Sequence, residues 1–191
     1  MGTMQRVPGD ASGRLKTAMA ELNQSNVRVG WFESARYNDD KATPVAYVAA
    51  INELGPHARP FMRTAKDESE AEWNKTMEAL SRQILNGKLT ALDALELLGY
   101  AVGADIKEKI ATIQDPPLSL ITLIARKYRL EGRKVTGGTI GQIAQYIKNV
   151  GDSEARASVS GISTKPLNDT GYMLATLSAS VNDGSPKPVP E

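Results

Sequence analysis

The chain contains no cysteine. That excludes disulfides, a thiolate nucleophile and any cysteine metal site, and it suits a reducing compartment or a particle held together without covalent staples. Its only histidine is His57, and a lone histidine lacks the partners a metal site needs. Aromatic residues make up 5% of 191 residues, so the core must rely on aliphatic side chains and alanine. Neither sign of charge dominates, with 23 basic against 22 acidic side chains. A dedicated nucleic-acid or membrane-surface binder ordinarily carries a basic excess. No apolar run approaches the ~20 residues that span a bilayer. The opening MGTMQRVPGDASG lacks the apolar stretch of a signal peptide. The expectation is a protein made and kept in the cytoplasm unless it leaves as part of something larger.

What remains is the composition of one globular domain, 41% hydrophobic and long enough for a sizeable core. Gly9 to Asn23 predicts an amphipathic helix capped by Asp10 or Ser12. Asn26 to Phe32 alternates, with Val27, Val29 and Trp31 on one face, and predicts a half-buried strand. Residues 33–43 are polar and rich in turn formers, a mobile loop or hairpin tip. Pro44 starts a helix through Tyr47, Val48 and Ile51 that stops at Gly55. A long helix over Arg63 to Asn86 carries the stripe Trp73, Met77, Leu80, Ile84, and Gly87 ends it. Thr90 with Asp93 predicts a capping box for the next helix, which bears Leu92, Leu95, Leu98, Val102, Ile106, Ile110 and Ile113. Together the two suggest an αα-hairpin or one bent helix.

Asp115-Pro116-Pro117-Leu118-Ser119 is a hard stop, with Ser119 capping a short helix over Leu120 to Tyr128. Residues 129–164 change character, with glycine-rich turns and a short helix near Ile140 to Val150. They read as an insertion or extended loop. Tyr172 to Val181 ends in an alternation that predicts a closing strand. A further strand is expected within 33–43 or 153–164, and the proline-rich 183–191 is expected to be a flexible tail. The fold class that results is α+β: a small antiparallel β-sheet packed against long helices, in one domain over 1–182 with an extended loop insertion at 129–164.

Catalytic chemistry finds little support. His57 reads as an exposed loop histidine. Gly137, Gly138 and Gly141 fit neither a dinucleotide nor a P-loop pattern. Glu68, Glu70 and Glu72, with Lys66 and Lys75 nearby, read as a solvated helix face, and no G-x-S-x-G elbow occurs. No catalytic residue, cofactor site or metal site is expected. The cluster Arg126, Lys127, Arg129, Arg133 and Lys134 has three open readings: contact with nucleic-acid phosphates, contact with an acidic protein surface, or plain solvation.

Three separated motifs stand out. The first runs from Val45-Ala46 through Asn52-Glu53-Leu54-Gly55 to Ala58-Arg59-Pro60-Phe61-Met62-Arg63. The second is Pro116-Pro117-Leu118-Ser119 with Thr122 and Lys127. The third is Lys165-Pro166-Leu167-Asn168-Asp169-Thr170-Gly171 followed by Met173 and Leu174. In order and spacing they resemble the tail-completion, or neck, proteins of tailed bacteriophages, the head–tail joining group that includes virion-morphogenesis proteins. The resemblance covers about residues 26 to 182, and the stretch between Lys127 and Lys165 is longer than is usual for the family.

The resemblance implies a tail-terminator-like fold and a structural role in the virion, not an enzyme. It implies a homo-oligomeric ring, hexamer or dodecamer, between the portal and adaptor proteins and the tail terminator or tail-tube protein. Assembly would take place in the host bacterial cytoplasm. The alternatives are a terminator capping the tail tube, or a nucleic-acid-binding factor. Residues 33–43, 129–164 and 183–191 would be interface or lumen segments that order on assembly. Asn52, Glu53, Gly55, Arg59, Pro60, Phe61, Pro116, Pro117, Lys165, Pro166, Leu167, Asp169, Thr170 and Gly171 would be fold or interface anchors. Arg126, Lys127, Arg129, Arg133 and Lys134 would line a DNA channel without reading sequence.

Overall fold

The structure, a computed structural model, describes residues 10–39, 41–167, 171–182 and 184–190. Asp169 and Thr170 of the third motif lie outside the described residues, as do the side chains of Asp10 and Ser12.

A helical hairpin forms the body. Helix α3 (Phe61–Leu85) and helix α4 (Ala91–Thr112) pack along each other, with α1 (Asp10–Gln24) across their joined end. The turn between α3 and α4 is a Schellman motif. Lys88 N–H returns to the Gln83 carbonyl at 2.9 Å and Gly87 N–H to that of Ile84 at 2.9 Å. Gly87 sits at φ +70°, where a glycine avoids the steric cost of a side chain. The Thr90/Asp93 capping box then opens α4 as expected. Leu80, Ile84, Ala91 and Ala94 are buried around this turn, with Leu22 of α1 packed on them.

The sheet lies on α4. Strands β1 (Val27–Gly30), β2 (Ser178–Val181) and β3 (Lys187–Pro188) are antiparallel in the order β1-β2-β3. Helix α4 approaches it closely because Gly99 and Gly103 face it. A Cβ on Gly99 would stand 2.7 Å from Val27 Cγ2 and 3.0 Å from Ala179 Cβ. One on Gly103 would stand 2.9 Å from Val189 Cγ1. The main core gathers Val45, Phe61, Ile106, Ile110, Met173, Leu177 and Val189 between sheet, α4 and helix α2 (Val45–Leu54).

Two sequence expectations are corrected here. The third strand lies in neither 33–43 nor 153–164. Residues 33–39 and 41–43 are irregular beside an isolated Arg36–Pro44 bridge, and 152–157 are helical. The strand is β3, in the segment read as a flexible tail. Val189 is 3% exposed, its N–H donates to the Leu177 carbonyl at 3.0 Å, and Lys107 Nζ holds the Val189 carbonyl at 2.7 Å.

Residues 129–164 are likewise not an extended loop. Helices α5 (Leu120–Leu130), α6 (Gly137–Val150) and α7 (Asp152–Ala157) enclose a second core of Leu123, Ile124, Ile143, Ala155 and Val159. The glycine-rich stretch is the first turn of α6, held by a Thr136/Thr139 capping box. Short helix α8 (Tyr172–Ala175) leads from the third motif into β2.

Candidate functional site

The elbow between α2 and α3 is a capping device. Pro60 stands at the N-cap of α3 and offers no side-chain acceptor. Glu53 supplies one from across the turn. Its carboxylate accepts from Met62 N–H at 2.9 Å and Arg63 N–H at 3.1 Å, two of the amides that a helix start leaves unpaired. A carboxylate there also meets the positive end of the helix dipole. Arg63 closes the arrangement, with Nε on Glu53 Oε1 at 3.1 Å and Nη2 on the Glu53 carbonyl at 2.9 Å. Gly55 is needed for space rather than for a left-handed backbone. Its φ is −74°, and a Cβ would press on the Ile51 carbonyl oxygen. Asn52 Nδ2 donates to the Val48 carbonyl at 2.8 Å, which holds the last turn of α2.

From this elbow the first motif reaches the other two. Arg59 donates through Nε and Nη2 to the Pro116 carbonyl at 2.8 and 2.6 Å, and to that of Pro117 at 3.3 Å. Burial holds its guanidinium pKa below the ordinary value. Phe61 is fully buried and meets Trp31 edge-on, with ring centroids 5.8 Å apart. Trp31 Nε1 donates to the Met173 carbonyl at 2.8 Å, just after the third motif.

Arg126 is the counterpart on α5. It is 4% exposed and donates to the carbonyls of Ser163 and Lys165 at 2.8 Å and Pro166 at 3.0 Å. Two arginines thus join the two cores: Arg59 fixes the entry to α5, and Arg126 fixes the exit from the α5–α7 unit. The lysine side chain at 165 faces solvent, whereas Pro166 and Leu167 are buried.

The basic cluster therefore does not act as one surface. Arg126 is an internal anchor, which corrects its expected place in a channel lining. Lys127 Nζ donates to the Ser158 carbonyl at 3.0 Å, tying α5 to the end of α7. Arg133 lies over the Tyr128 ring at 3.4 Å and pairs with Glu131 at 3.9 Å. Arg129 and Lys134 are exposed and also engaged within the chain.

Around these contacts lies a groove of about 660 Å³, lined among others by Tyr37, Asp39, Asn52, Thr122, Arg129 and Tyr172. Each of α2, α5, the 33–43 loop and the third motif contributes to it. Tyr37 and Tyr172 form a tilted pair with centroids 5.4 Å apart. Asp39 accepts from the Thr43 hydroxyl at 2.6 Å and amide at 2.8 Å. These bonds hold its pKa below the ordinary 3.8, so it stays ionised near neutrality. The groove presents aromatic faces, a fixed carboxylate and an arginine, which is the chemistry of a binding surface. The histidine at 57 is exposed in the elbow, away from this lining. Among the described residues no group of three or more His, Cys, Asp or Glu is arranged to hold a metal ion, and no helix is long and apolar enough to cross a membrane.

Sequence reading missed the Gly99/Gly103 pair, although its signal, small residues four apart on a helix, was present. It also missed Trp31, whose indole joins the first and third motifs. Compared with known proteins, the chain matches no protein-family model, no curated protein and no solved structure.

Proposed function

We propose that the chain is a structural subunit of the neck of a tailed-phage virion, a ring that joins the DNA-filled head to the tail. The reading rests on the convergence of the three motifs that carry the resemblance. They are far apart in sequence, yet Arg59 of the first holds Pro116 and Pro117 of the second, and Arg126, the neighbour of Lys127 and outside the motifs, holds Lys165 and Pro166 of the third. The motif side chains Glu53, Arg59 and Phe61 are committed to internal contacts, the use expected of a scaffold whose purpose is shape.

A ring also needs exposed apolar surface. Helix α2 provides it: Tyr47, Ile51 and Leu54 are 61%, 48% and 72% exposed and lie on one face, opposite buried Val45, Ala49 and Glu53. Head-to-tail closure requires such a face to meet a different one on the next copy. In this reading the ring lies between portal and adaptor on one side and terminator or tube on the other. Arg129 and Lys134 are then the cations that approach passing DNA.

Electron microscopy of particles made without this chain tests the proposal. Filled heads and finished tails that fail to join, and that join when purified chain is added, are expected. Normal joining overturns it. Tails of irregular length in place of unjoined parts would assign the chain to the tail terminator instead.

A further inference from the structure

The two edges of the sheet are finished differently. At the β3 edge, Val189 N–H donates inward to Leu177, and Lys187 lies opposite Ala179 in the same phase. The intervening positions, whose N–H groups would face outward, are Pro186, Pro188 and Pro190. Proline has no N–H, so this edge offers no donor to another strand.

The β1 edge carries no such block. Asn182 N–H donates to the Asn26 carbonyl at 2.8 Å, and Arg28 lies opposite Ser180. In an antiparallel ladder this phase turns the N–H and C=O of Val27 and Val29 away from β2. Among the described residues no hydrogen bond from these outward groups is present. Beside them lies an apolar cleft of about 350 Å³, lined by Val27, Val29, Met62, Trp73, Val102 and Ile106. Its charged lining residues are Arg63 and Lys66, whose side chains are 61% and 60% exposed. Neighbouring acids are already occupied. Glu53 caps α3 and pairs with Arg63 at 3.1 Å, which leaves Lys66 as the cation the cleft offers; Glu70 stands 4.0 Å from Lys66, and Asp105 accepts from Trp73 Nε1 at 2.6 Å.

We infer that the β1 edge is a strand-addition site for an extended segment of a different protein chain, apolar at alternate positions and acidic at one end. Backbone pairing to Val27 and Val29 supplies affinity, the cleft takes the alternate side chains, and Lys66, held by Glu70 only at 4.0 Å, selects the acidic end. A second copy of β1 is a poor occupant, because antiparallel pairing centred on Arg28 would set Arg28 against Arg28 across the new ladder. This inference does not depend on the neck reading.

The test is amide hydrogen exchange on the full chain, read by NMR, with the acetylated and amidated peptide Glu-Glu-Val-Thr-Val-Thr-Val-Thr as probe. At about nine-tenths occupancy, exchange at Val27 and Val29 should slow about tenfold. The effect should vanish when alternate peptide amides are N-methylated, and weaken with added salt, with Lys66→Glu, or when lysine replaces the glutamates. No protection at millimolar peptide, equal protection by the lysine peptide, or protection that grows with chain concentration alone would each overturn the inference.

Discussion

Arg126→Met isolates what a buried arginine does in this chain. Methionine keeps most of the apolar stem in place and removes the guanidinium. Three carbonyl acceptors then lose their donor: Ser163, Lys165 and Pro166. A hydrogen bond to a charged group is worth roughly 1.5–3 kcal/mol, and an abandoned buried acceptor costs about 1–3 kcal/mol. Arg126 is 4% exposed, so water reaches its place poorly, although Ser163 and Lys165 themselves face solvent and recover part of the loss. The expected destabilisation is about 3–5 kcal/mol, as for breaking other buried charged networks. With a urea slope near the upper end of about 1–3 kcal/mol/M, the unfolding midpoint should fall by about 1–2 M. Arg129→Met, one turn on and exposed, is the control and should change stability by less than about 1 kcal/mol. Urea unfolding followed by circular dichroism measures both. If Arg126→Met moves the midpoint no further than Arg129→Met, Arg126 is not an anchor, and the argument that it is withheld from a DNA channel fails.

Gly103→Ala should expel the C-terminal strand, because the new Cβ would stand 3.2 Å or less from three carbons of Val189, a side chain too stiff to step aside. Amide exchange at Val189, read by NMR, should then be faster than in the parent chain, with a loss of about 1–3 kcal/mol; unchanged exchange would show that the strand does not depend on this notch. Glu53→Ala removes the cap on α3 and should cost about 1–2 kcal/mol by urea unfolding, while Glu53→Gln, which still accepts hydrogen bonds, should cost less. The hold of α4 on β3 should also be sensitive to acid, because Glu96 accepts from Lys187 Nζ at 2.6 Å. Hydrogen bonds from Lys187 and then Tyr100 hold the Glu96 pKa below its ordinary 4.5. Its stabilising effect is thus complete above about pH 4.5 and is lost as pH falls through the lower folded value. NMR titration should show the Val189 amide shifting in that acid range, and Glu96→Gln should abolish the dependence. Finally, in the proposed ring, Leu54→Glu should leave the monomer folded and shift sedimentation from oligomer to monomer, since Leu54 is 72% exposed on the uncharged face of α2.

The features legible in the sequence were local ones. The Thr90/Asp93 box, the Ser119 cap and the Gly87 stop each involve residues within a few positions of one another, and each forms where expected. The features that were not legible depend on distance in the chain. Arg126 sits in a run of basic residues, and nothing nearby distinguishes it from Arg129. Only the packing of α5 turns it inward to carbonyls about 40 residues on. The alternating prolines of 186–190 suggested disorder, because proline opposes most regular structure. The same alternation is the one pattern that an edge strand tolerates, but that requires knowing that β2 lies beside it.

The sequence by itself therefore determined helices α1 to α6, the Thr90 and Ser119 caps, the first strand and the three motifs, since helical periodicity and capping chemistry are written within one or two turns. The absence of cysteine likewise settles that no disulfide holds the chain. Tertiary structure decided everything that needs two distant segments: that the stretch after Lys127 builds a second core, that Arg59 and Arg126 join the two cores, and that among the described residues the β3 edge has prolines where the β1 edge turns out the backbone groups of Val27 and Val29. These outcomes rest on burial and on hydrogen-bond partners, and a residue acquires neither until the chain has folded back on itself.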